Sequence, residues 1–477
     1  MKILLIVPNI KSYDVMPCLS VATLKGYING ATSHKAKVVD LVYHRKVWKQ
    51  YLSNLIKEEN PDLIGISVLS FNYPEALQIA KFIKRNFDIK IIFGGVHAIL
   101  TPEEVIQNDE VDIVCLGEGE LVLKDLLDNS LNCKDIKGIW YKQNGKIVKN
   151  EKRRLIENLD SIPFPDFNDY DIDRYFIINH KHFPIMGSRG CPYNCTFCGN
   201  HALKKNLVGK YVRFRSVDNI LKEVEEKIKQ FYDLGLRYFY FFDDTFILHK
   251  DFVFEFCEKF KKRGFHKKVK WTANVRANLV TDEIIKTMKD AGCYEVRMGV
   301  ESGNDYIRNT VYNRNMTQDQ LLNSFKIIKK HGLTLRLDFI LGAPFETSDM
   351  MEESLELAKL SGGDRIFFAK LYPFPGTEIK KICENEHTID GIDFDNKGMP
   401  PVDKTSFITN KQLKKFSKKI SKWQGHRYIK KGFELNGLGF IWDILLFLIY
   451  FKRKYDLEYN QIYRWNVQRY LLIKPLT

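Results

Sequence analysis

Short apolar runs alternate with helix-period segments along most of this 477-residue chain, and that alternation restricts the possible folds more than any other feature. In roughly the first 130 residues, runs rich in Val and Ile predict five strands, at 2–8, 35–43, 62–70, 90–98 and 112–120. Buried strands separated by helices indicate a doubly wound parallel sheet, which binds ligands at the C-terminal ends of its strands. Here those ends carry Gly94-Gly95 and Gly117-Glu118-Gly119-Glu120, and glycine permits close approach to a ligand.

A second series of strand and helix patterns runs from about residue 183 to 386. Its six predicted strands are 183–191, 238–246, 269–277, 294–302, 333–342 and 365–376. Six βα units with polar residues at their strand ends favour a partial parallel (β/α)6 barrel, whose chemistry sits at the C-terminal rim. Between the two series, Asn144-Gly145 predicts a hairpin, and 161–171 is a linker rich in Pro and Asp.

These patterns predict an α/β protein in four parts. They are a Rossmann-like domain at 1–135, the hairpin and linker at 136–182, the partial TIM barrel at 183–390 and a basic, mostly helical C-terminal segment at 391–477. A chain of this length is too long for a single ordinary core, which supports the division into domains.

Three of the nine cysteines, Cys191, Cys195 and Cys198, lie within eight positions in a C-x3-C-x2-C pattern. The odd number of cysteines, irregularly spaced elsewhere, argues against disulfides and indicates reduced thiols. Pro192 inside the pattern indicates a loop rather than an apolar core face. A structural zinc site needs four ligands, and His201 is the only local candidate for the fourth. Three thiolates in a loop suit a 4Fe–4S cluster with one iron open to an exogenous ligand.

The net charge of +15 is concentrated at the C-terminus, where residues 404–477 contribute +12. A uniformly basic nucleic-acid binder would not have this distribution. The segment begins as a basic helix and continues into an apolar stretch, 438–451, whose 14 residues include Asp443 and fall short of a membrane span. We predict a lid on the barrel rim; contact with anionic lipid and docking of an acidic carrier protein or product are the alternatives.

The N-terminal sequence MKILLIVPNI has too short an apolar run for a signal peptide, which predicts a first buried strand instead. The predicted location is therefore cytoplasmic, and peripheral to the membrane if the C-terminal segment contacts lipid.

The cysteine pattern has Phe197 before its last cysteine, and this C-x3-C-x-F-C arrangement resembles that of the radical S-adenosylmethionine (radical SAM) superfamily. Later stretches resemble strand and rim motifs of the same family, in the same order: FFDDTF (241–246), ANVRAN (273–278), GVESG (299–303), LGAPFET (341–347) and YPFPGTE (372–378). The resemblance covers roughly residues 183–386. It implies that Cys191, Cys195 and Cys198 hold three irons of a 4Fe–4S cluster and that S-adenosylmethionine binds the fourth.

Four stretches of the N-terminal half, SVL (67–69), GGVHA (94–98), TPEE (101–104) and GEGE (117–120), resemble the cobalamin-binding domain that precedes the radical domain in one subgroup. The loop at 8–18 lacks the D-x-H-x-x-G motif whose histidine ligates cobalt in some cobalamin proteins, and many members of this subgroup lack it too. The resemblance therefore implies cobalamin bound without a histidine ligand. The predicted contacts are Ser67, Gly94, Gly95, Gly117, Glu118 and Gly119, although each glycine also fits an ordinary βα turn.

Within the barrel, the resemblance implies roles for four charged residues. Asp243 and Asp244 would accept hydrogen bonds from the methionine amine of S-adenosylmethionine, with capping of the next helix as the alternative. Glu301 would accept from the ribose or the amine, because a charged residue inside an apolar strand needs a partner. Arg276 would pair with the methionine carboxylate, with a salt bridge to Asp243 as the alternative.

The implied activity is reductive cleavage of S-adenosylmethionine to methionine and a 5′-deoxyadenosyl radical, followed by cobalamin-dependent methylation of an unactivated carbon. The implied partners are a small-molecule or lipid-like substrate and an external one-electron reductant such as flavodoxin or ferredoxin, without nucleic acid. Cyclisation, epimerisation or oxidation on the same scaffold and a cluster-based redox sensor are alternatives. A tRNA methylthiotransferase is disfavoured, because Cys18, Cys115 and Cys133 do not match the three additional cysteines of that family.

Overall fold

The computed structural model of the protein describes residues 1–11, 16–179, 181–388 and 405–436. Its first sheet has seven strands: β1 (Lys2–Val7), β2 (Lys35–Asp40), β3 (Leu63–Ser67), β4 (Lys90–Gly94), β5 (Ile113–Cys115), β6 (Ile139–Gln143) and β7 (Lys146–Lys149). They lie in the order β2-β1-β3-β4-β5-β6-β7, and β1 to β5 are parallel. The predicted hairpin, β6 and β7, continues the sheet in antiparallel fashion beyond β5.

Six helices accompany this sheet: α1 (Leu19–Ala31), α2 (Trp48–Glu59), α3 (Tyr73–Asn86), α4 (Val96–Leu100), α5 (Pro102–Gln107) and α6 (Gly119–Asp128). Alternate residues of β1 point to opposite faces of the sheet. Leu4 and Ile6 pack with α2 and α3 on one face, whereas Ile3 and Leu5 pack with α1 and α6 on the other. Helices therefore cover both faces, which confirms the predicted doubly wound arrangement.

The second sheet has six parallel strands in the order β15-β14-β13-β12-β11-β8. They are β8 (His182–Ile185), β11 (Tyr238–Phe241), β12 (Lys270–Val275), β13 (Cys293–Glu301), β14 (Thr334–Leu341) and β15 (Arg365–Lys370). A separate antiparallel pair, β9 (Ser188–Arg189) and β10 (Arg213–Phe214), follows β8. Among the described residues no backbone pairing joins β15 to β8, so the predicted partial (β/α)6 barrel is confirmed.

The α-helices of the second half are α7 (Ile172–Ile178), α8 (Gly199–Asn206), α9 (Val217–Phe231), α10 (Lys250–Lys262), α11 (Phe265–Lys268), α12 (Asp282–Asp290), α13 (Gln318–Lys330), α14 (Ser348–Leu360), α15 (Glu378–Asn385) and α16 (Asn410–Asn436). A π-helix covers Tyr306–Val311. Strand residues such as Phe239, Trp271 and Val296 point away from the barrel interior and form a core with these helices. The intervening residues, among them Tyr240 and Arg297, face the barrel interior.

The first half of α16 packs on the outer side of the barrel. Its Leu413 and Ile420 form a small core with Leu341 and Leu355, and Gln424 donates a hydrogen bond to the Ile366 carbonyl. This part of the C-terminal segment therefore completes the helical layer over β14 and β15 and is not a lid. The apolar stretch 438–451 lies outside the described residues. Within the described part of the chain, no helix combines the length and the hydropathy that a membrane crossing needs.

Candidate active site

The loop that carries the three clustered cysteines connects β9 to α8 and is clamped from two sides. Thr196 donates its backbone N–H to the Tyr312 carbonyl (3.1 Å) and its hydroxyl to the Val311 carbonyl (2.6 Å). The Thr196 carbonyl accepts from the Ile379 N–H (3.1 Å), and the Phe197 ring lies edge-on to Tyr312. The end of the π-helix and the start of α15 therefore hold this loop in place.

The donor set of the loop fits a cluster better than a single ion. Cys191, Cys195 and Cys198 are free thiols, and Cys195 is 5% exposed. Thiolates are the protein ligands of 4Fe–4S clusters, in which each thiolate binds a different iron. The His201 ring places Nδ1 3.0 Å from the Cys198 carbonyl oxygen, a backbone contact that fixes the ring in α8.

Two arginines converge on Cys195. Arg314 places Nη1 3.6 Å from the Cys195 sulfur and Arg276 places Nη1 3.9 Å from it. Arg276 also donates to the Arg314 carbonyl and lies over the Tyr193 ring, with Cζ 3.8 Å from the ring centroid. The Nε of each arginine is buried without a hydrogen-bond partner among the described residues. The alternative salt bridge between Arg276 and Asp243 is not formed, so this positive charge faces the cysteine loop.

Glu301 occupies a strained backbone position beside the same arginines. Its φ of 70° lies in the left-handed region, and the pairing of β13 with β14 shifts register between Gly299 and Glu301. Burial raises the pKa of Glu301 to about 7, although the Arg314 guanidinium, with Nη2 3.6 Å from Oε1, acts in the opposite direction. The bulge directs the Glu301 carboxyl to the barrel rim, next to Cys195 and the two arginines that contact it.

The two adjacent aspartates at the end of β11 have different surroundings. Asp243 is 1% exposed and accepts from the Gly187 N–H (2.9 Å) and the Ser188 hydroxyl (2.5 Å), so it braces the chain that leads into the cysteine loop. Burial raises the pKa of Asp243 to about 6. Neither aspartate caps the next helix, because α10 begins at Lys250 with His249 as its N-cap.

Asp244 belongs to a hydrogen-bond chain that starts beside Cys198. Asn200 donates from Nδ2 to Asp244 Oδ1 (2.8 Å), and the same nitrogen lies 3.8 Å from the Cys198 sulfur. The Tyr211 hydroxyl donates to Asn200 Oδ1 (2.6 Å). The chain therefore links the last cysteine of the loop to a tyrosine on the wall of the cavity described next.

A cavity of about 440 Å³ separates the C-terminal edge of the first sheet from the cysteine loop. Its volume is within the range of ligand pockets, and most of its walls are aliphatic. From the first sheet it is lined by all six residues predicted to contact cobalamin, namely Ser67, Gly94, Gly95, Gly117, Glu118 and Gly119. From the barrel side it is lined by Arg189, Gly190, Asn200, Tyr211 and Asp244. Of the residues predicted for the cluster and S-adenosylmethionine, Asp244 alone shares this space with the predicted cobalamin contacts, and no histidine lines its described part.

Glu118 lines this cavity, but its carboxylate is already occupied. Oε1 accepts from Arg189 (2.7 Å), and Oε2 accepts from Arg213 (2.9 Å) and from the Ile156 N–H (2.7 Å). Although burial alone would raise the pKa of Glu118, the two arginines lower it below its usual value. Arg189 also binds Glu120 (2.7 Å). Glu118 therefore joins the turn after β5 to the strand that precedes Cys191.

Gly95 is one of the cavity residues whose backbone requires glycine. Its φ is 103°, and a Cβ at this position would lie 2.7 Å from the Val68 carbonyl oxygen. The neighbouring His97 is fully buried against Ser70 and the Tyr73 ring, which fits a structural histidine. The turn after β4 is therefore held tightly while its glycine backbone faces the cavity.

Glu346 is a buried carboxyl that the sequence did not single out. It lies in the loop after β14, where Oε2 accepts from the N–H groups of Gly342 (2.6 Å) and Ala343 (3.2 Å). Oε1 is buried without a hydrogen-bond partner in the described part of the chain. Burial raises the pKa of Glu346 to about 8, so the folded protein holds this carboxyl in its protonated form at neutral pH.

Glu346 is therefore expected to make the protein less stable as the pH rises. The unfolded carboxyl ionises near pH 4.5 and the folded one near pH 8, so the folded state binds the extra proton between these values and loses stability as pH rises through them. Glu346→Gln keeps an acceptor for both N–H groups and removes this titration. Urea unfolding at several pH values measures the effect. A constant stability difference between wild type and variant across that window would contradict the expectation.

Comparison with known proteins identifies the family. Two family models match: the radical SAM superfamily over residues 185–358 and the B12 binding domain over residues 7–127. An uncharacterized methyltransferase of Pyrococcus horikoshii is 30% identical over 431 residues, which cover 88% of this chain and 91% of that protein. The chain belongs to the radical SAM enzymes that carry a B12-binding domain. As a member of this family it uses a 4Fe–4S cluster, S-adenosylmethionine and cobalamin.

Two further comparisons bear on this radical SAM enzyme. The anaerobic magnesium-protoporphyrin IX monomethyl ester cyclase of Rubrivivax gelatinosus is 27% identical over 401 residues, covering 80% of this chain and 69% of the cyclase. The structure of the radical SAM methyltransferase TsrM from Kitasatospora setae, with cobalamin and a 4Fe–4S cluster bound, superposes with a TM-score of 0.69 at 17% identity. It covers 85% of this chain and 79% of TsrM, which shows that the two enzymes share their fold.

Proposed function

We propose that this radical SAM enzyme is a cobalamin-dependent methyltransferase that acts on an unactivated carbon. The cavity between the two sheets carries the proposal, because the predicted cobalamin contacts and the neighbours of the cysteine loop line one space. Methyl transfer to a substrate radical requires cobalamin and the site of radical formation to be adjacent. The description of the Pyrococcus relative as a methyltransferase agrees with this choice.

In this proposal Cys191, Cys195 and Cys198 hold three irons of the cluster. Arg276 and Arg314 place positive charge at the Cys195 sulfur, where it would balance negative charge of the bound cluster. Burial raises the pKa of Cys198 to about 11.

The charged residues around the loop would hold S-adenosylmethionine. We propose that Glu301 and Asp244 accept hydrogen bonds from it and that Arg276 pairs with its carboxylate, while Asp243 positions the chain at Gly187 and Ser188. When bound, the cluster and S-adenosylmethionine supply a radical, and cobalamin supplies the methyl group. The task of the protein is to orient these groups and to exclude water with the apolar walls of the cavity.

The test of this proposal is anaerobic purification from cells supplied with cobalamin, reconstitution with iron and sulfide, and metal counting. About four irons and one cobalt per chain are expected. When cells are also grown with methyl-labelled methionine, label is expected in a metabolite that is absent from cells producing Cys195→Ser. Four irons without cobalt would leave the radical chemistry intact and contradict the methyltransferase.

A radical reaction without methyl transfer is the second candidate, favoured by the similarity to the Rubrivivax cyclase. It predicts an unlabelled product in the same labelling experiment, together with 5′-deoxyadenosine and methionine in equal amounts. The reductant, a flavodoxin or ferredoxin, is common to both candidates.

A separate prediction distinguishes the cobalamin site from the cluster. Gly117→Phe is expected to lower the cobalt content by about tenfold or more while iron stays at the wild-type level, because the new ring occupies the cavity. Gly117→Ala is the matched control: its Cβ would lie 3.7 Å from Leu207 Cδ2, an ordinary contact, so cobalt should be retained. Metal analysis of both variants after identical purification measures the effect. Full cobalt occupancy in Gly117→Phe would place cobalamin elsewhere.

We also propose that the protein acts in the cytoplasm on a small-molecule or lipid-like substrate and that its C-terminal segment contacts anionic lipid. The charge of residues 404–477 supports this contact. Flotation with anionic and neutral vesicles tests it in the full chain, and equal recovery with both would exclude an electrostatic contact.

A further inference from the structure

The stretch of chain around the cysteine loop contains basic residues but no acidic ones. Between Asp173 and Asp218 the sequence has eight Lys and Arg residues and no Asp or Glu. Three of the eight are paired with glutamates inside the protein: Arg189, Arg213 and Arg215. The three lysines that follow the cysteine loop, Lys204, Lys205 and Lys210, are exposed instead and form no ion pair within the described part of the chain.

The first of these lysines contacts the cysteine loop itself. Lys204 lies on α8 and donates from Nζ to the Pro192 carbonyl (3.3 Å), between the first two cysteines. α8 faces the cavity with Leu203 and Leu207 and packs against α4, so Lys204 and Lys205 lie on its remaining side, which is exposed to solvent. Their positive charge is therefore on the outer surface that covers the cysteine loop.

A second segment of the chain extends this positive surface. Arg154 forms a backbone bridge with Val208, and the Leu155 N–H donates to the Val208 carbonyl (2.9 Å). Lys152 is exposed, and the Arg154 side chain is 71% exposed with one ion pair, to Glu157 at 3.5 Å. Val208 is exposed beside them, and an apolar residue flanked by charged ones is typical of a protein interface. We call the charged residues of this region the basic surface: Lys152, Arg154, Lys204, Lys205 and Lys210.

The other helix that contacts the cysteine loop differs in charge. α15 carries Lys380 and Lys381, but it also carries Glu378 and Glu384, and Lys380 binds Glu384 (3.6 Å). Its positive and negative charges therefore balance, whereas α8 and the residues beside it are basic. Because an excess of one charge attracts partners of the opposite sign over a distance, a negatively charged molecule is drawn to the α8 side of the loop.

We propose that the basic surface binds an acidic one-electron carrier protein that reduces the cluster. Electron transfer slows steeply with distance, so the donor must dock close to the cysteine loop, and Lys204 touches that loop. Carboxylates of the carrier would face the lysines while Val208 makes apolar contact. The carrier loses one electron and the cluster gains it. The inference goes beyond the proposed function and holds for both candidate reactions, because both need this electron.

Flavodoxin, an acidic one-electron carrier, is the probe, and the double variant Lys205→Glu/Lys210→Glu is the test. Neither lysine lines the cavity, and Lys204, which bonds the cysteine loop, is left in place. Calorimetry at low salt measures the affinity of oxidised flavodoxin for the full, iron-reconstituted chain. The test variant should bind about tenfold more weakly or worse, and added salt should weaken wild-type binding. Lys261→Glu/Lys262→Glu makes the same charge change in the last turn of α10, which leads to the start of β12 opposite the rim, and should keep wild-type affinity.

The rate of cluster reduction separates a docking defect from damage to the cluster. Stopped-flow absorbance follows the oxidation of reduced flavodoxin and, separately, of reduced methyl viologen, a small cation that needs no docking surface. The test variant should oxidise flavodoxin about tenfold more slowly and methyl viologen at the wild-type rate. Equal flavodoxin affinity in the test and control variants, or equal slowing with both reductants, would overturn the proposal. Lost binding to anionic vesicles with unchanged flavodoxin binding would assign the basic surface to lipid and overturn it too. None of these outcomes alters the cobalt and label measurements of the proposed function.

Discussion

Replacing Cys195 with serine is expected to abolish iron binding and S-adenosylmethionine cleavage together. Cys195 is the most buried cysteine of the loop, and both nearby guanidinium groups converge on its sulfur. A serine hydroxyl is far less acidic than a thiol and is a poor ligand for iron–sulfur clusters. The rate of cleavage should fall by more than about a thousandfold, because the chemistry belongs to the cofactor.

Iron content and the cluster signal in electron paramagnetic resonance measure the first effect, and formation of 5′-deoxyadenosine measures the second. Cys18→Ser is the matched control, because Cys18 is a half-buried thiol outside the loop, 3.4 Å from the Ser20 hydroxyl. It should retain iron and activity. Four irons in purified Cys195→Ser would show that another residue ligates the cluster.

Most strands of the two sheets were predictable because they combine β-branched or aromatic residues with a turn at the end of the strand. The stretch predicted as a strand at 112–120 marks the limit of this reasoning: β5 ends at Cys115, and α6 begins at Gly119. The local sequence pattern locates a strand, but the residue at which the strand ends depends on the strands that pair with it. Here Ile139 of the following hairpin pairs with Cys115, the last residue of β5.

The partners of charged residues were not predictable in the same way. Glu118 was expected at cobalamin, and it does line the cavity, yet its oxygens bind Arg189 and Arg213, residues of the other half of the chain. Arg314 and Asn200 were missed. The only local signals were the position of Asn200 directly after Cys198-Gly199 and the polar run Asn313-Arg314-Asn315.

The Glu118 contacts also join the first half of the chain to the second. The turn after β5 lines the cavity, and Arg189, one of its partners, lies two residues before Cys191. Buried ion pairs of Arg189 with Glu118 and Glu120 therefore join the turn that lines the cavity to the chain that leads into the cysteine loop.

Removing Arg314 is expected to slow S-adenosylmethionine cleavage by about a hundredfold while iron content stays at the wild-type level. Arg314 places positive charge at the Cys195 sulfur (3.6 Å) and holds Glu301 (3.6 Å). Hydrogen bonds and positive charge at a cluster sulfur favour the reduced state, so Arg314→Met should shift the midpoint potential of the cluster to more negative values.

A redox titration followed by electron paramagnetic resonance measures this potential independently of turnover. Arg314→Lys is the informative companion, because it keeps a positive charge but loses the fork that reaches both the Cys195 sulfur and the Gly299 carbonyl. Its potential should lie between those of wild type and Arg314→Met. Arg263→Met, far from the loop, controls for the loss of one charge. An unchanged potential in Arg314→Met would mean that the arginine acts on Glu301 and the backbone of β13 rather than on the cluster.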